Sequence, residues 1–125
     1  MSKKTTVSIG GREIPLQFCM PEFADMEEAI GNLSVIDELL LKGKKRIRNT
    51  AAAIRIMGNA ALRAAGEKPD LTDEWVLNHM EPRLIVAYQS AVMAAINGGM
   101  RMESSEEQER DLVLEEIERK KEQNS

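Results

Sequence analysis

A chain of 125 residues with 42% apolar side chains and a net charge of -4 is one domain, with room for a core that needs no staples. One cysteine (Cys19) and one histidine (His79) exclude an intramolecular disulfide and a histidine cluster, and with them most metal sites. Eight methionines against four aromatics make the expected core soft and adaptable.

No apolar run follows Lys3 and Lys4, so no signal peptide is read and a cytoplasmic location is expected. Val7, Ile9, Ile14, Leu16 and Phe18 then alternate with polar residues around Gly10-Gly11, which predicts a two-residue β-hairpin. Pro15 cannot donate to the ladder, so its strand is expected to be an edge or its N side to face outward. An isolated hairpin is marginal in water, and its apolar face must lie on helices. Pro21 suits the first turn of a helix with Phe23, Met26 and Ile30 on one face and Glu22, Glu27 and Glu28 on the other, ended by Gly31 and Asn32. Ser34 is the expected cap of a short helix carrying Ile36, Leu39 and Leu40 before a break at Lys42-Gly43.

Residues 44–65 repeat Ile47, Ala51, Ile54, Gly58, Ala61 and Ala65 at steps of three or four, a stripe of mostly small residues that predicts a closely packed helix. Gly66 stops it. Thr72, Asp73 and Glu74 start a short helix whose apolar side holds Trp75, Val76, His79 and Met80. Pro82 begins or kinks a further helix that is almost wholly apolar and continues to Asn97, with Gly98-Gly99 as its stop. That run is shorter than the roughly 20 apolar residues of a membrane span and is broken by Gln89-Ser90, so it is a core or interface helix. Ser104-Ser105 with Glu107 and Gln108 resembles a capping box for a charged tail helix with Leu112, Val113, Leu114 and Ile117 as its apolar groups. The fold class is mainly α: residues 1–99 form a helical domain with an N-terminal β-hairpin, and residues 100–125 an acidic helical tail that the domain does not need for folding.

Residues 1–99 carry 12 basic and 12 acidic side chains and residues 100–125 carry 5 and 9, so the net charge lies in the tail. Within the neutral part an acidic stretch (Glu22 to Glu38) hands over to a basic run: Lys42, Lys44, Lys45, Arg46 and Arg48. The run reads either as a phosphate contact or as a solvated helix start that meets acidic groups of this or another chain. The absence of aromatics and the acidic total favour the second, so nucleic acid is not the expected partner.

Catalytic signals are weak. Cys19 and His79 form the sole Cys-His combination, and each reads as a structural residue: Cys19 as a small buried hydrophobe and His79 as part of an apolar helix side. Glu27-Glu28 and Glu106-Glu107 are adjacent in sequence and point in different directions on a helix. The paired glycines lack the Lys and Ser or Thr of a phosphate loop. The expectation is a binding protein, not an enzyme, without cofactor or metal.

The order of parts resembles the tail assembly chaperones of long-tailed bacteriophages. The resemblance rests on the hairpin Val-Ser-Ile-Gly-Gly-Arg-Glu-Ile-Pro-Leu from Val7, a short acidic helix, a long helix ending Ala-Leu-Arg-Ala-Ala-Gly at Gly66, the Leu-Thr-Asp-Glu start at Leu71 and the final apolar helix. It covers about residues 5–99. It implies a mostly helical, non-catalytic chaperone of phage or prophage origin, acting in the host cytoplasm and absent from the mature virion. Such a protein binds the tape measure protein and helps bring tail tube protein to it; a homo-oligomer is compatible with this. The rival functions are a small nucleic-acid-binding regulator using the basic run and a structural head-tail connector protein. Leu84, Tyr88 and Val92 on the apolar helix are the expected centre of partner binding. Phe23 and Met26 on the acidic helix and Lys44, Lys45 and Arg48 in the basic run are the further candidates. The opposing expectation for the apolar helix is complete burial beneath the hairpin and residues 44–65.

Overall fold

Strands β1 (Thr5–Ile9) and β2 (Arg12–Leu16) pair antiparallel in the computed structural model, which describes residues 5–105 and their side chains through Met100. Gly10 (φ 60°) and Gly11 (φ 77°) both lie in the left-handed region, as a two-residue primed turn requires. Ile9 faces Arg12 across this turn, so hydrogen-bonded and open pairs alternate away from it and Thr6-Pro15 falls on an open one. Pro15 therefore removes no ladder bond. Val7, Ile9, Ile14 and Leu16 are buried against the helices, as their alternation predicts.

Helix α1 (Met20–Ala29) buries Met26 and half-buries Phe23. Glu22 departs from its expected solvated position. It is 3% exposed, because from the first turn its carboxylate reaches back to accept the Cys19 N–H at 2.8 Å. Glu27 likewise accepts the Leu33 N–H at 3.0 Å. Gly31 (φ 140°) ends the helix, and Asn32, not Ser34, caps the next turn: its Oδ1 accepts the Ser34 N–H at 2.9 Å. That 3-10 turn (Leu33–Val35) leads into α2 (Ile36–Leu41).

Helix α3 (Arg46–Ala64) is the central element, touching β2 and each of the other helices. Ala51, Ala53, Ile54 and Met57 are fully buried along it. Its small residues admit neighbours on several sides, not one helix alone. A Cβ on Gly58 would stand 2.6 Å from Leu71 Cδ1 and 2.8 Å from Ile14 Cγ2. One residue earlier the Met57 carbonyl accepts the Gln17 N–H at 3.1 Å, fastening the end of the hairpin to the helix backbone. Gly66 closes α3 as expected, with the Glu67 N–H donating to the Leu62 carbonyl in a Schellman arrangement.

Thr72 Oγ1 accepts the Trp75 N–H at 3.0 Å and caps α4 (Asp73–His79). Met80 is extended, so Pro82 opens a new 3-10 turn (Pro82–Leu84) instead of kinking α4. Helix α5 (Ile85–Ser105) does not stop at Gly98-Gly99. A Cβ on Gly99 would sit 2.6 Å from the Phe18 carbonyl oxygen, so close approach, not helix termination, accounts for that glycine. The expected tail helix with Leu112, Val113, Leu114 and Ile117 lies outside the described residues. No described helix is long and apolar enough to cross a membrane.

The hairpin turn is held on α4 by a small polar cluster. Arg12 pairs with Asp70 at 3.0 Å and its guanidinium lies 5.4 Å from the centre of the Trp75 ring, on which His79 stacks at 4.3 Å. A Cβ on Gly10 would meet His79 Cδ2 at 2.9 Å. Replacing Gly10 and Gly11 together with Val is expected to lower the thermal midpoint by about 10 °C or more, since each left-handed β-branched residue costs roughly 1–2 kcal/mol. An unchanged melting curve would contradict the turn.

The hydrogen bond from Arg12 is the foremost reason that Asp70 sits below its ordinary carboxylate value. Folding thus binds the Asp70 proton less tightly than the unfolded chain does. The resulting stability is present above the ordinary Asp value and disappears as pH falls through the lowered one. In an Arg12→Ala variant the loss of stability between pH 6 and pH 2 is expected to shrink, as read from urea midpoints across that range; the effect is small because both groups are substantially exposed.

Candidate protein-binding surface

Helix α3 begins against the usual electrostatic preference. Lys45 is its N-cap without a side-chain hydrogen bond, no acid lies in its first turn, and Lys42, Lys44, Lys45, Arg46 and Arg48 are all exposed there. Cations at the positive end of a helix dipole are unfavourable, and local rules are broken most often where a surface has work to do. The acidic stretch does not neutralise them. Ion pairs among the described residues join Arg12 to Asp70, Arg55 to Asp73 and Arg83 to Glu81, and none involves the basic run. Asp25 and Glu28 of α1 instead border a polar depression with Arg55.

Two apolar grooves border this basic start. The first, about 250 Å³, lies where α3, α4 and α5 meet and is lined by Ile47, Leu77, Met80, Pro82 and Ile85, with Glu81 at its edge. Arg83 holds Glu81 in an ion pair at 2.9 Å, so that edge is charge-balanced. Val86, next to Ile85 in the chain, is 69% exposed and extends the apolar surface. The second groove, about 450 Å³, runs between α1, α2 and α3 past Ile30, Val35 and Leu39, with Lys42, Lys44 and Lys45 along it.

The residues singled out from the sequence divide between core and surface. Tyr88 (2% exposed), Val92 and Met26 are core, which corrects their placing at a partner surface. Tyr88 and Val92 face inward together from α5, and the Tyr88 hydroxyl accepts the Glu81 N–H at 2.9 Å. Leu84 is partly buried in the turn before α5, and Phe23 is half-buried, stacked 5.8 Å from Phe18. Lys44, Lys45 and Arg48 are on the surface. Cys19 is exposed, not a buried hydrophobe, because β2 ends at Leu16 and Cys19 is no longer in the strand alternation. His79 is exposed as well, its Nδ1 2.8 Å from the Trp75 carbonyl oxygen and its ring against the hairpin turn. No group of three His, Cys, Asp or Glu among the described residues is placed to hold a metal.

Ile47, Leu77 and Val35 line the two grooves and Val86 extends the first, and the sequence reading names none of the four as a binding residue. Ile47 carries a usable signal, an isoleucine inside a basic run. Val86 carries none, since it lies in an unbroken apolar stretch. No family model, curated protein or solved structure matches the chain.

Proposed function

We propose that this protein is a tail assembly chaperone of a long-tailed phage or prophage, which binds the tape measure protein in the host cytoplasm and helps recruit tail tube protein to it. The reading is of a binding protein that performs no chemistry and needs no cofactor. It is carried by one observation: an apolar groove of Ile47, Leu77, Met80, Pro82 and Ile85, extended by exposed Val86, beside cations that form no ion pair among the described residues. An amphipathic helix with acidic flanks fits such a surface, its apolar residues in the groove and its carboxylates toward Lys44, Lys45 and Arg48. Each buried Leu or Ile contributes roughly 1.5–3 kcal/mol, so a few such anchors sustain binding after association costs.

The test is co-expression with the tape measure protein of the same genome. The unmodified chain is expected to co-purify with it, and Val86→Asp to weaken the complex about tenfold or more while far-UV circular dichroism stays unchanged. Changing Lys44, Lys45 and Arg48 to Ala should weaken it less, through a slower association rate. Absence of any complex would refute the proposal. Tight DNA binding that falls steeply with salt would favour a nucleic-acid regulator, and recovery of the protein in purified virions a head-tail connector.

A further inference from the structure

We propose that the second groove, between α1, α2 and α3, is the docking site of this chain's own acidic segment, residues 106–118. The groove joins an apolar floor to a basic rim. Ile30, Val35 and Leu39 supply the floor, Val35 being 44% exposed, and Lys42, Lys44 and Lys45 supply the rim. Among the described residues Glu38 is the one acid along it, and no ion pair joins it to these lysines. The Asn49 side chain donates to the Leu39 carbonyl at 2.9 Å and fixes α2 against α3, so the groove has a defended shape. The positive end of α3 adds to the field of the lysines.

The segment has the complementary pattern. Between Glu106 and Glu118 seven acidic side chains accompany a single base, Arg110. Leu112, Val113 and Leu114 are enclosed by Asp111 on one side and Glu115-Glu116 on the other. Taken up as an extended strand in place of the helix that its capping pattern predicts, the segment would turn Leu112 and Leu114 to one side, toward the floor, and Asp111 and Glu115 to the other, within reach of the rim. Docking neutralises cations that have no acidic partner among the described residues, and the carboxylates of a bound partner helix would displace the segment from Lys44 and Lys45.

The reach is sufficient within one chain. Gln89 of α5 donates to the Leu40 carbonyl at 2.6 Å, which places this level of α5 beside the α2 wall. From Gln89 to Ser105 the helix rises about 24 Å. The return from Ser105 to Leu112 and Leu114 spans up to about 24–31 Å when extended. Leu112 is thus reached only at full extension and Leu114 with a few ångströms to spare, which lets the same chain occupy the groove without a second copy.

The experiment uses the full chain, mixed in equal amounts as natural-abundance and ¹⁵N-labelled protein at low concentration in 150 mM salt. A carbodiimide joins carboxylates to amines already in contact, and mass spectrometry identifies the joined peptides. The expected products link Lys42, Lys44 or Lys45 to Asp111, Glu115 or Glu116 and carry one isotope throughout. Their yield is expected to fall about tenfold in a Leu112→Ser/Leu114→Ser variant whose circular dichroism is unchanged. Absence of these links, equal linking to Lys68, or an undiminished yield in the variant would overturn the proposal. Isotopically mixed products would assign the groove to a second copy and overturn docking within the chain. No tape measure protein is present, so failure here is separate from failure of the chaperone proposal.

Discussion

A Tyr88→Ser variant is expected to lose most of its folding stability, not merely a contact with a partner. The ring is 2% exposed within the main core, and its hydroxyl accepts the Glu81 N–H just ahead of the turn that launches α5. Truncating a buried aromatic costs about 3–5 kcal/mol, of the same order as the whole stability of a small domain, about 5–15 kcal/mol. Tyr88→Phe retains the ring and loses the hydrogen bond, at about 1 kcal/mol. Val86→Ser, two residues earlier and 69% exposed, is expected to change stability by less than about 0.5 kcal/mol. Urea unfolding of the three variants measures the contrast, and a Tyr88→Ser midpoint close to that of the parent protein would place Tyr88 outside the core.

That contrast shows where the sequence is informative. Residues 84–96 are apolar on nearly every side, so their periodicity does not say which face turns inward. Gln89 illustrates the difficulty: it breaks the apolar run and reads as surface, yet it is buried with its amide on the Leu40 carbonyl. The hairpin is legible because alternation and a glycine pair fix strand faces and turn type together. Helix α3 is legible because its small residues recur at helical spacing, and Thr72 because a cap precedes acids. Glu22 and Gly99 depart from expectation for one reason. Each is defined by a backbone group it approaches, the Cys19 N–H and the Phe18 carbonyl, and a composition pattern carries no information about such approaches.

The binding surface is legible only in its charge. Five basic residues at a helix start announce themselves, whereas the two grooves depend on how α1, α2, α4 and α5 are set around α3. Leu77 and Ile85 lie apart in sequence and meet through the extended link at Met80. Phe23 and Leu84 are intermediate cases, half-buried at the edge of the core, where a sequence reading of "apolar and on one face" fits core and interface equally.

Asn59 carries the other large expected effect. From the middle of α3 its side-chain amide donates to the Leu71 carbonyl and its oxygen accepts the Leu71 N–H, both at 3.0 Å, imitating one rung of a β-ladder. Leu71 is 3% exposed and lies at the end of an irregular stretch between Gly66 and Thr72, so no neighbouring strand supplies those bonds. An Asn59→Ala variant leaves both backbone groups unpaired at about 1–3 kcal/mol each, offset by at most about 0.7 kcal/mol of better helix propensity. The net loss expected is about 1–5 kcal/mol. Asn59→Asp keeps the acceptor and removes the donor, so it should fall between the parent and Ala where its added charge stays solvated. Because Leu71 precedes the cap of α4, and α4 contributes Leu77 to the first groove, the damage should travel. Amide exchange in residues 67–73 is expected to quicken before that of α3, and binding at the groove to weaken although Asn59 does not line it. Exchange that quickens uniformly over the whole domain would mean that the clamp is part of global stability and does not position α4 by itself.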